Sequence, residues 1–193
     1  VTDRVDADLA LIERYLAGDV DAFNELMRAH EDRVFGICLR MLRDRDMALD
    51  AVQETFITVF RKVDRFAGRS AFSTWLYRVA VNTCYDVTRR TRRTQADPLP
   101  EGRDPADPSS QDEFLAVEVR PDIQKALDAL PQEFKAAVVL ADLEGLALQT
   151  VGDILGVPVG TVKSRVFRGR RLLAETLGNP TAPFDPQRDE HHA

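Results

Sequence analysis

Gly152, Gly156 and Val162 stand at fixed intervals of four and six residues within the stretch Leu143 to Arg165, and that spacing leaves few folds open. A residue without a side chain at Gly152 lets a second helix pack closely against the first. Gly156 falls where the chain must bend, and glycine adopts the positive φ that such a bend favours. Val162 then plugs the core that the two helices share. Pro158 and Gly160 punctuate the entry to the second helix. The spacing predicts a helix, a tight turn and a second helix.

The second helix is divided by charge. At roughly 100° per residue, Val162, Val166, Gly169 and Leu173 gather on one stripe, and Lys163, Ser164, Phe167, Arg168 and Arg171 on the opposite one. Lys163, Arg165, Arg168, Arg170 and Arg171 occur there without an intervening acid, in a chain whose formal charge is −6. A solvated surface face would explain the arginines alone. Phe167 within the polar stripe, together with the turn spacing, favours a helix-turn-helix that presents this face to duplex DNA.

The rest of the chain frames that unit. Residues 7–93 are dense in helical periodicity, with little strand-like alternation. Residues 94–118 carry Pro98, Pro100, Pro105, Pro108, Ser109, Ser110 and several acids, the composition of a flexible linker. Helical patterning resumes over 119–178, where two helices precede the helix-turn-helix, and residues 179–193 read as a disordered tail. The expected fold is all-α: two small helical domains joined by a flexible acidic linker, the C-terminal one a four-helix unit. Pro131 is expected at the first turn of a helix buried through Phe134, Val138, Val139 and Leu143. Of 193 residues, 44% are hydrophobic, enough to fill two small cores. Cys38 and Cys84 fall on apolar helix faces, which predicts buried structural thiols in a reducing setting. No metal-ligand spacing, nucleophile constellation or phosphate-binding glycine loop occurs, so neither a cofactor nor catalysis is expected. No apolar run is long enough to span a membrane, and the acidic N-terminus (Asp3, Asp6, Asp8) predicts no signal peptide. A cytoplasmic location follows as an expectation.

Two helices of the first domain carry surface chemistry. Over Asp46–Phe66, read as one helix, Leu49, Val52, Phe56, Val59, Phe60 and Val63 are assigned to the core. Asp50, Gln53, Glu54, Ile57 and Arg61 form a stripe opposite. An apolar centre at Ile57 with a polar rim suits a protein interface, although a plain solvated face would also explain the charges. In the next helix, with Ser73 as the expected N-cap, Trp75, Arg78, Asn82, Asp86, Arg89 and Arg93 project from one side. Leu76, Ala80, Cys84 and Val87 occupy the other. An aromatic plane, amide and carboxylate edges and guanidinium groups in succession suit unstacked single-stranded bases. The competing role for Trp75 is a core anchor. The run Arg89-Arg90-Thr91-Arg92-Arg93 exceeds what the helix dipole alone would favour.

These residues, in this order, resemble the extracytoplasmic-function (ECF) group of sigma-70-type bacterial sigma factors, over about Asp8 to Leu177 without the linker. Tyr15 to Leu26 is similar to the family's opening helices, and Asp50-Ala-Val-Gln-Glu-Thr-Phe56 to its polymerase-binding helix. Phe72 to Asp86 resembles its promoter-melting segment, and Gly160-Thr-Val-Lys-Ser-Arg165 its recognition helix. The resemblance implies sigma region 2 over 7–93 and region 4 over 119–178. It implies that Asp50, Gln53, Glu54 and Ile57 contact the clamp helices of the largest subunit of RNA polymerase core, with region 4 against the flap of the second subunit. Gly68, Arg69, Ser70 and Phe72, with Trp75, Arg78, Asn82, Asp86, Arg89 and Arg93, would hold the opened −10 strand. Lys163, Ser164, Phe167, Arg168 and Arg171 would read the −35 duplex. An anti-sigma factor is a further partner that the resemblance suggests. The departure is Ala147-Leu-Gln-Thr-Val-Gly152, where relatives often carry Ser-Tyr-Glu-Glu-Ile-Ala. The missing cap and the helical glycine each cost about 1 kcal/mol. A helix-turn-helix regulator without sigma activity stands as the alternative, and it leaves the Asp50 and Trp75 stripes unused.

Overall fold

The computed structural model describes residues 2–66, 68, 70–96 and 121–178, and among them the chain is all helical. Helices α1 (Thr2–Leu16), α2 (Val20–Leu42), α3 (Arg45–Phe60) and α4 (Phe72–Ala96) form the first group. Helices α5 (Pro121–Asp128), α6 (Gln132–Val138), α7 (Leu148–Leu155) and α8 (Val159–Thr176) form the second. The expected two-domain all-α architecture is the one observed, while most of the linker and the tail lie outside the described residues.

Helix starts follow their caps. The Asp19 carboxylate accepts from the backbone N–H groups of Asp21 and Ala22 and opens α2. Asp44 accepts from Met47 at 2.8 Å and opens α3. Each such cap is worth about 1 kcal/mol. α4 departs from the expected cap: it begins at Phe72, and the Ala71 carbonyl accepts from Thr74 and Trp75, leaving Ser73 inside the first turn. The span read as one helix to Phe66 is interrupted after Phe60, and a 3-10 turn follows at Val63–Arg65.

α2, α3 and α4 pack on one another through Leu26, Val34, Ile37, Cys38, Ala48, Ala51, Val59, Leu76, Ala80 and Cys84, all buried. The Cys38 side chain beside it, then burial, pushes the Cys84 thiol well above the ordinary cysteine range. Both cysteines are free and buried, as expected. α1 is fastened to α2 by a buried pair in which His30 Nε2 lies 3.0 Å from Asp8 Oδ1.

In the second group the turn behaves as its glycines require. Gly156 caps α7 with φ +67°, and the Val157 N–H donates to the Gly152 carbonyl at 3.1 Å. A Cβ on Gly152 would stand 2.9 Å from the Val157 carbonyl oxygen, and Val162 is fully buried. Ala147 begins α7 without a side-chain cap. Pro131 sits one residue earlier than expected, at the N-cap of α6, where its carbonyl accepts from Phe134 and Lys135. Val138 and Val139 are buried and continue into a π-turn at Val139–Leu143. The buried side chains of both groups belong to one continuous apolar core, with α7 lying against α4.

Candidate nucleic-acid and polymerase interfaces

On α3 the structure exposes Asp50, Gln53 and Ile57 together. Glu54 is partly covered because its carboxylate accepts from Arg90 of α4 at 2.9 Å. The surrounding surface is more apolar than expected. Leu49 and Phe60, both assigned to the core from sequence, are 47% and 52% exposed. The inward face of α3 is instead built from Ala48, Ala51, Val52, Thr55 and Val59. Small residues mark the core here because α2 and α4 approach closely. Thr55 is tolerated within it because its hydroxyl donates to the Ala51 carbonyl at 2.7 Å. Phe60 rests against Phe23 and Tyr15, at 5.2 and 6.1 Å between ring centroids, and is otherwise open to solvent. The result is a partly apolar patch around Gln53 with charges at its rim, the composition of a docking surface.

The second stripe divides on inspection. Gly68 has φ +64°, the left-handed conformation that lets the loop before α4 turn, and Arg69 lies outside the described residues. Ser70 is exposed. Phe72 is only 1% exposed and packs edge-on to Phe66 and His30, so it props the loop from beneath and has no face to offer a base. That corrects its sequence assignment as a strand contact. Trp75 is half-buried beside Phe66 and Phe72, at 5.4 and 5.8 Å between centroids. That packing is the core-anchor role weighed for it, and its surface is only partly covered. Asn82, Arg89 and Arg93 are exposed. Asp86 bonds Arg89 at 2.8 Å in a solvent-exposed pair of the kind worth about 0–1 kcal/mol, which an incoming ligand exchanges at little cost. Arg78 is exposed yet engaged, its guanidinium donating to the Asp153 carbonyl of α7. The opposite side of α4 holds Leu76, Ala80 and Cys84 buried and Val87 partly so, as expected. A shallow hollow lined by Tyr85, Asp86, Arg89, Arg92 and Arg93 of α4 closes against Gln132 of α6. Burial pushes the Tyr85 hydroxyl to a pKa of about 12, against the opposing pull of Arg165.

On α8, Lys163, Ser164, Phe167, Arg168 and Arg171 all face outward, Phe167 at 45% exposure. Val162, Val166 and Gly169 face the core. Gly169 has a reason that periodicity could not supply: a Cβ there would stand 2.6 Å from Val138 Cγ2 of α6. Arg170, counted in the basic run, is drawn aside by Asp142 of the π-turn, its Nε and Nη2 donating at 3.0 and 2.6 Å. It braces α8 rather than adding to the outward face. An exposed basic face on a helix of this width fits a major groove about 12 Å wide. Among the described residues, no cluster of His, Cys, Asp and Glu could hold a metal ion, and no helix is long and apolar enough to cross a membrane.

Comparison with known proteins agrees with this geometry. Residues 26–94 match the family Sigma-70 region 2, and residues 120–173 match Sigma-70, region 4. The chain is 43% identical over 159 residues to the ECF RNA polymerase sigma factor SigE of Mycolicibacterium smegmatis, covering 81% of this chain and 62% of that protein. It is 37% identical over 180 residues to the ECF RNA polymerase sigma-E factor of Haemophilus influenzae, covering 88% of this chain and 95% of that protein. Among solved structures, the sigma factor RpoE in complex with the anti-sigma factor NepR from Bartonella quintana superposes with a TM-score of 0.65 at 26% identity, covering 81% of this chain and 96% of that one. CnrH, in complex with the cytosolic domain of CnrY, shares the fold with a TM-score of 0.67 at 22% identity, covering 89% of this chain and 97% of that one.

Proposed function

The chain belongs to the ECF group of sigma-70-type RNA polymerase sigma factors, and from that premise we propose that it binds core polymerase and directs transcription from specific promoters. The observation that carries this reading is the separation of surfaces. The patch around Asp50, Gln53 and Ile57 lies on α3, while the basic face of α8 points outward from a different group of helices. A helix-turn-helix regulator would need the second surface and has no use for the first.

The division of labour follows from magnitudes. One good base contact discriminates by about 1–3 kcal/mol, too little for a small domain to choose among the sites of a genome. Two readers held on one polymerase multiply their selectivity through effective concentration. Lys163, Ser164, Phe167, Arg168 and Arg171 read the −35 duplex in this proposal. Asn82, Asp86, Arg89 and Arg93, with the loop at Gly68 and Ser70 and the edge of Trp75, receive the opened −10 strand. Flipping a base out of the stack costs a few kcal/mol, which contacts to the extruded base and the grip of polymerase together offset. Asp50, Gln53, Glu54 and Ile57 dock on the clamp helices of the largest subunit, and the second helical group lies against the flap of the second subunit. The chain works in the cytoplasm with polymerase, contributes binding and no catalytic group, and is open to control by an anti-sigma factor.

The test is reconstituted transcription. Purified chain added to core polymerase should yield transcripts that begin at defined promoters and disappear without it. Operator binding by a dimer, with no such transcripts, would instead make it a regulator.

A further inference from the structure

The loop ahead of α4 has an aromatic ring at each end. Phe66 precedes it, Phe72 follows it, and the two meet edge-on at 5.7 Å between centroids. Trp75 completes the group, at 5.4 Å from Phe66 and 5.8 Å from Phe72. Nothing lies within 4 Å of where a Cβ on Gly68 would stand, so the loop takes its position from its ends.

Phe72 is seated by a residue from elsewhere in the chain. The imidazole of His30, on α2, meets its ring at 5.5 Å with 60° between planes, and meets Tyr77 at 6.3 Å. His30 is 1% exposed and Asp8 of α1 is 4% exposed. The His30 Nε2–H donates to the Asp8 carboxylate at 3.0 Å, and Nδ1 is buried with no hydrogen-bond partner among the described residues. The torsion that turns an imidazole is broad, so the bond to Asp8 decides how the ring faces Phe72. A position that needed only filling would take an apolar side chain and avoid both the buried carboxylate and the bare nitrogen. The polar pair is useful where orientation matters, because contacts between rings depend on their angle.

We infer that His30, oriented by Asp8, is a positioning residue for strand capture: it sets the seat of Phe72, and through Phe72 the loop at Gly68 and Ser70 and the partly exposed Trp75. The inference rests on the proposed role of that loop in receiving the opened −10 strand. α1 thereby contributes to promoter opening without touching DNA. The coupling passes through one contiguous series of packed groups, from Asp8 to His30, Phe72 and Trp75.

The experiment replaces the pair in the full chain with Asp8→Ala and His30→Leu together, which nearly conserves volume and leaves no carboxylate unpaired. Trp75, the single tryptophan of the chain, reports on the seat. Its emission should shift and acrylamide should quench it more readily, while the thermal midpoint holds, as apolar replacement of a buried polar pair allows. The second reading uses core polymerase and a promoter that the wild-type holoenzyme transcribes. Binding to the closed duplex in the cold should be unchanged. Strand opening, followed by permanganate reactivity of thymines, should slow by about tenfold or more. Asp8→Asn, whose amide oxygen accepts the same hydrogen bond, should keep both readings at wild type. Should the double variant melt earlier or lose helicity, His30→Gln, which can still donate to Asp8 but offers Phe72 no ring, takes its place with the same expectations. Unaltered Trp75 emission and quenching overturn the seat. Altered emission with opening at the wild-type rate overturns the positioning role, as does an Asp8→Asn chain as slow as the double variant. Trp75 is read on the chain alone, so that result stands whether or not transcripts form; absence of promoter-dependent transcription would instead remove the proposed function.

Discussion

Gly156→Ala isolates the backbone demand of the turn between α7 and α8. Gly156 holds φ +67°, and nothing lies within 4 Å of where its Cβ would stand, so the substitution meets no steric obstacle. Its cost is the left-handed conformation alone, about 1–2 kcal/mol for an L-residue with a Cβ. Asparagine tolerates that conformation better, so Gly156→Asn should lose distinctly less. Gly152 supplies the contrast, since its Cβ would press to 2.9 Å on the backbone carbonyl of Val157, which cannot swing away. There the larger side chain should be the worse one, with asparagine more damaging than alanine. Thermal unfolding followed by circular dichroism at 222 nm checks the pair (~222 nm being the helical band). At about 2–4 °C per kcal/mol for a chain of this size, Gly156→Ala should lower the midpoint by about 2–8 °C. A midpoint unmoved by Gly156→Ala, or an asparagine at 156 as harmful as the alanine, would refute the claim that conformation is what this glycine supplies.

Three other perturbations address the surfaces and the core. Asp50→Ala combined with Gln53→Ala should weaken binding to core polymerase by roughly tenfold, measured by competition for core, while leaving duplex binding by the chain intact. Arg168→Ala should weaken duplex binding and reduce the slope of log affinity against log salt by about 0.9, measured by fluorescence anisotropy, if its guanidinium neutralises one phosphate. An unchanged slope with altered base preference would make it a base reader. Tyr85 is held protonated by burial, with its pKa raised from 10 to about 12. A raised folded pKa means its contribution is complete below pH 10 and is lost as pH rises toward 12. Stability should therefore fall by about 2–3 kcal/mol over that window, and Tyr85→Phe should lose less between pH 9.5 and 11.5 in paired melts (~1.36 kcal/mol per unit).

What could be read from sequence divides by physical range. The helix-turn-helix was legible because Gly152, Gly156 and Val162 act over a few residues, where sterics are local. The outward faces of α8 and of Asp50, Gln53 and Ile57 followed from helical period for the same reason. The errors arose where hydrophobicity was weighed without knowledge of a neighbour. Leu49 and Phe60 look like core residues, but Ala48, Ala51 and Thr55 take that place because two helices come close to α3. Phe72 sits on a loop that reads as functional, yet the aromatic cluster beneath it claims the ring. Arg170 could be placed only once Asp142 was known to lie opposite it. The pairing of Arg33 and Arg40 with Glu144 crosses more than a hundred residues, 111 and 104, so no period along the chain announces it.

The unbroken core shared by both helical groups has a consequence for the lifetime of the chain. With that core intact, the chain should melt and resist proteases as a single cooperative body. Separated, the same residues become two smaller bodies with more surface for each unit of volume, and small bodies are harder to keep folded. Anything that parts the two groups should therefore shorten the life of the chain under protease attack, through packing alone.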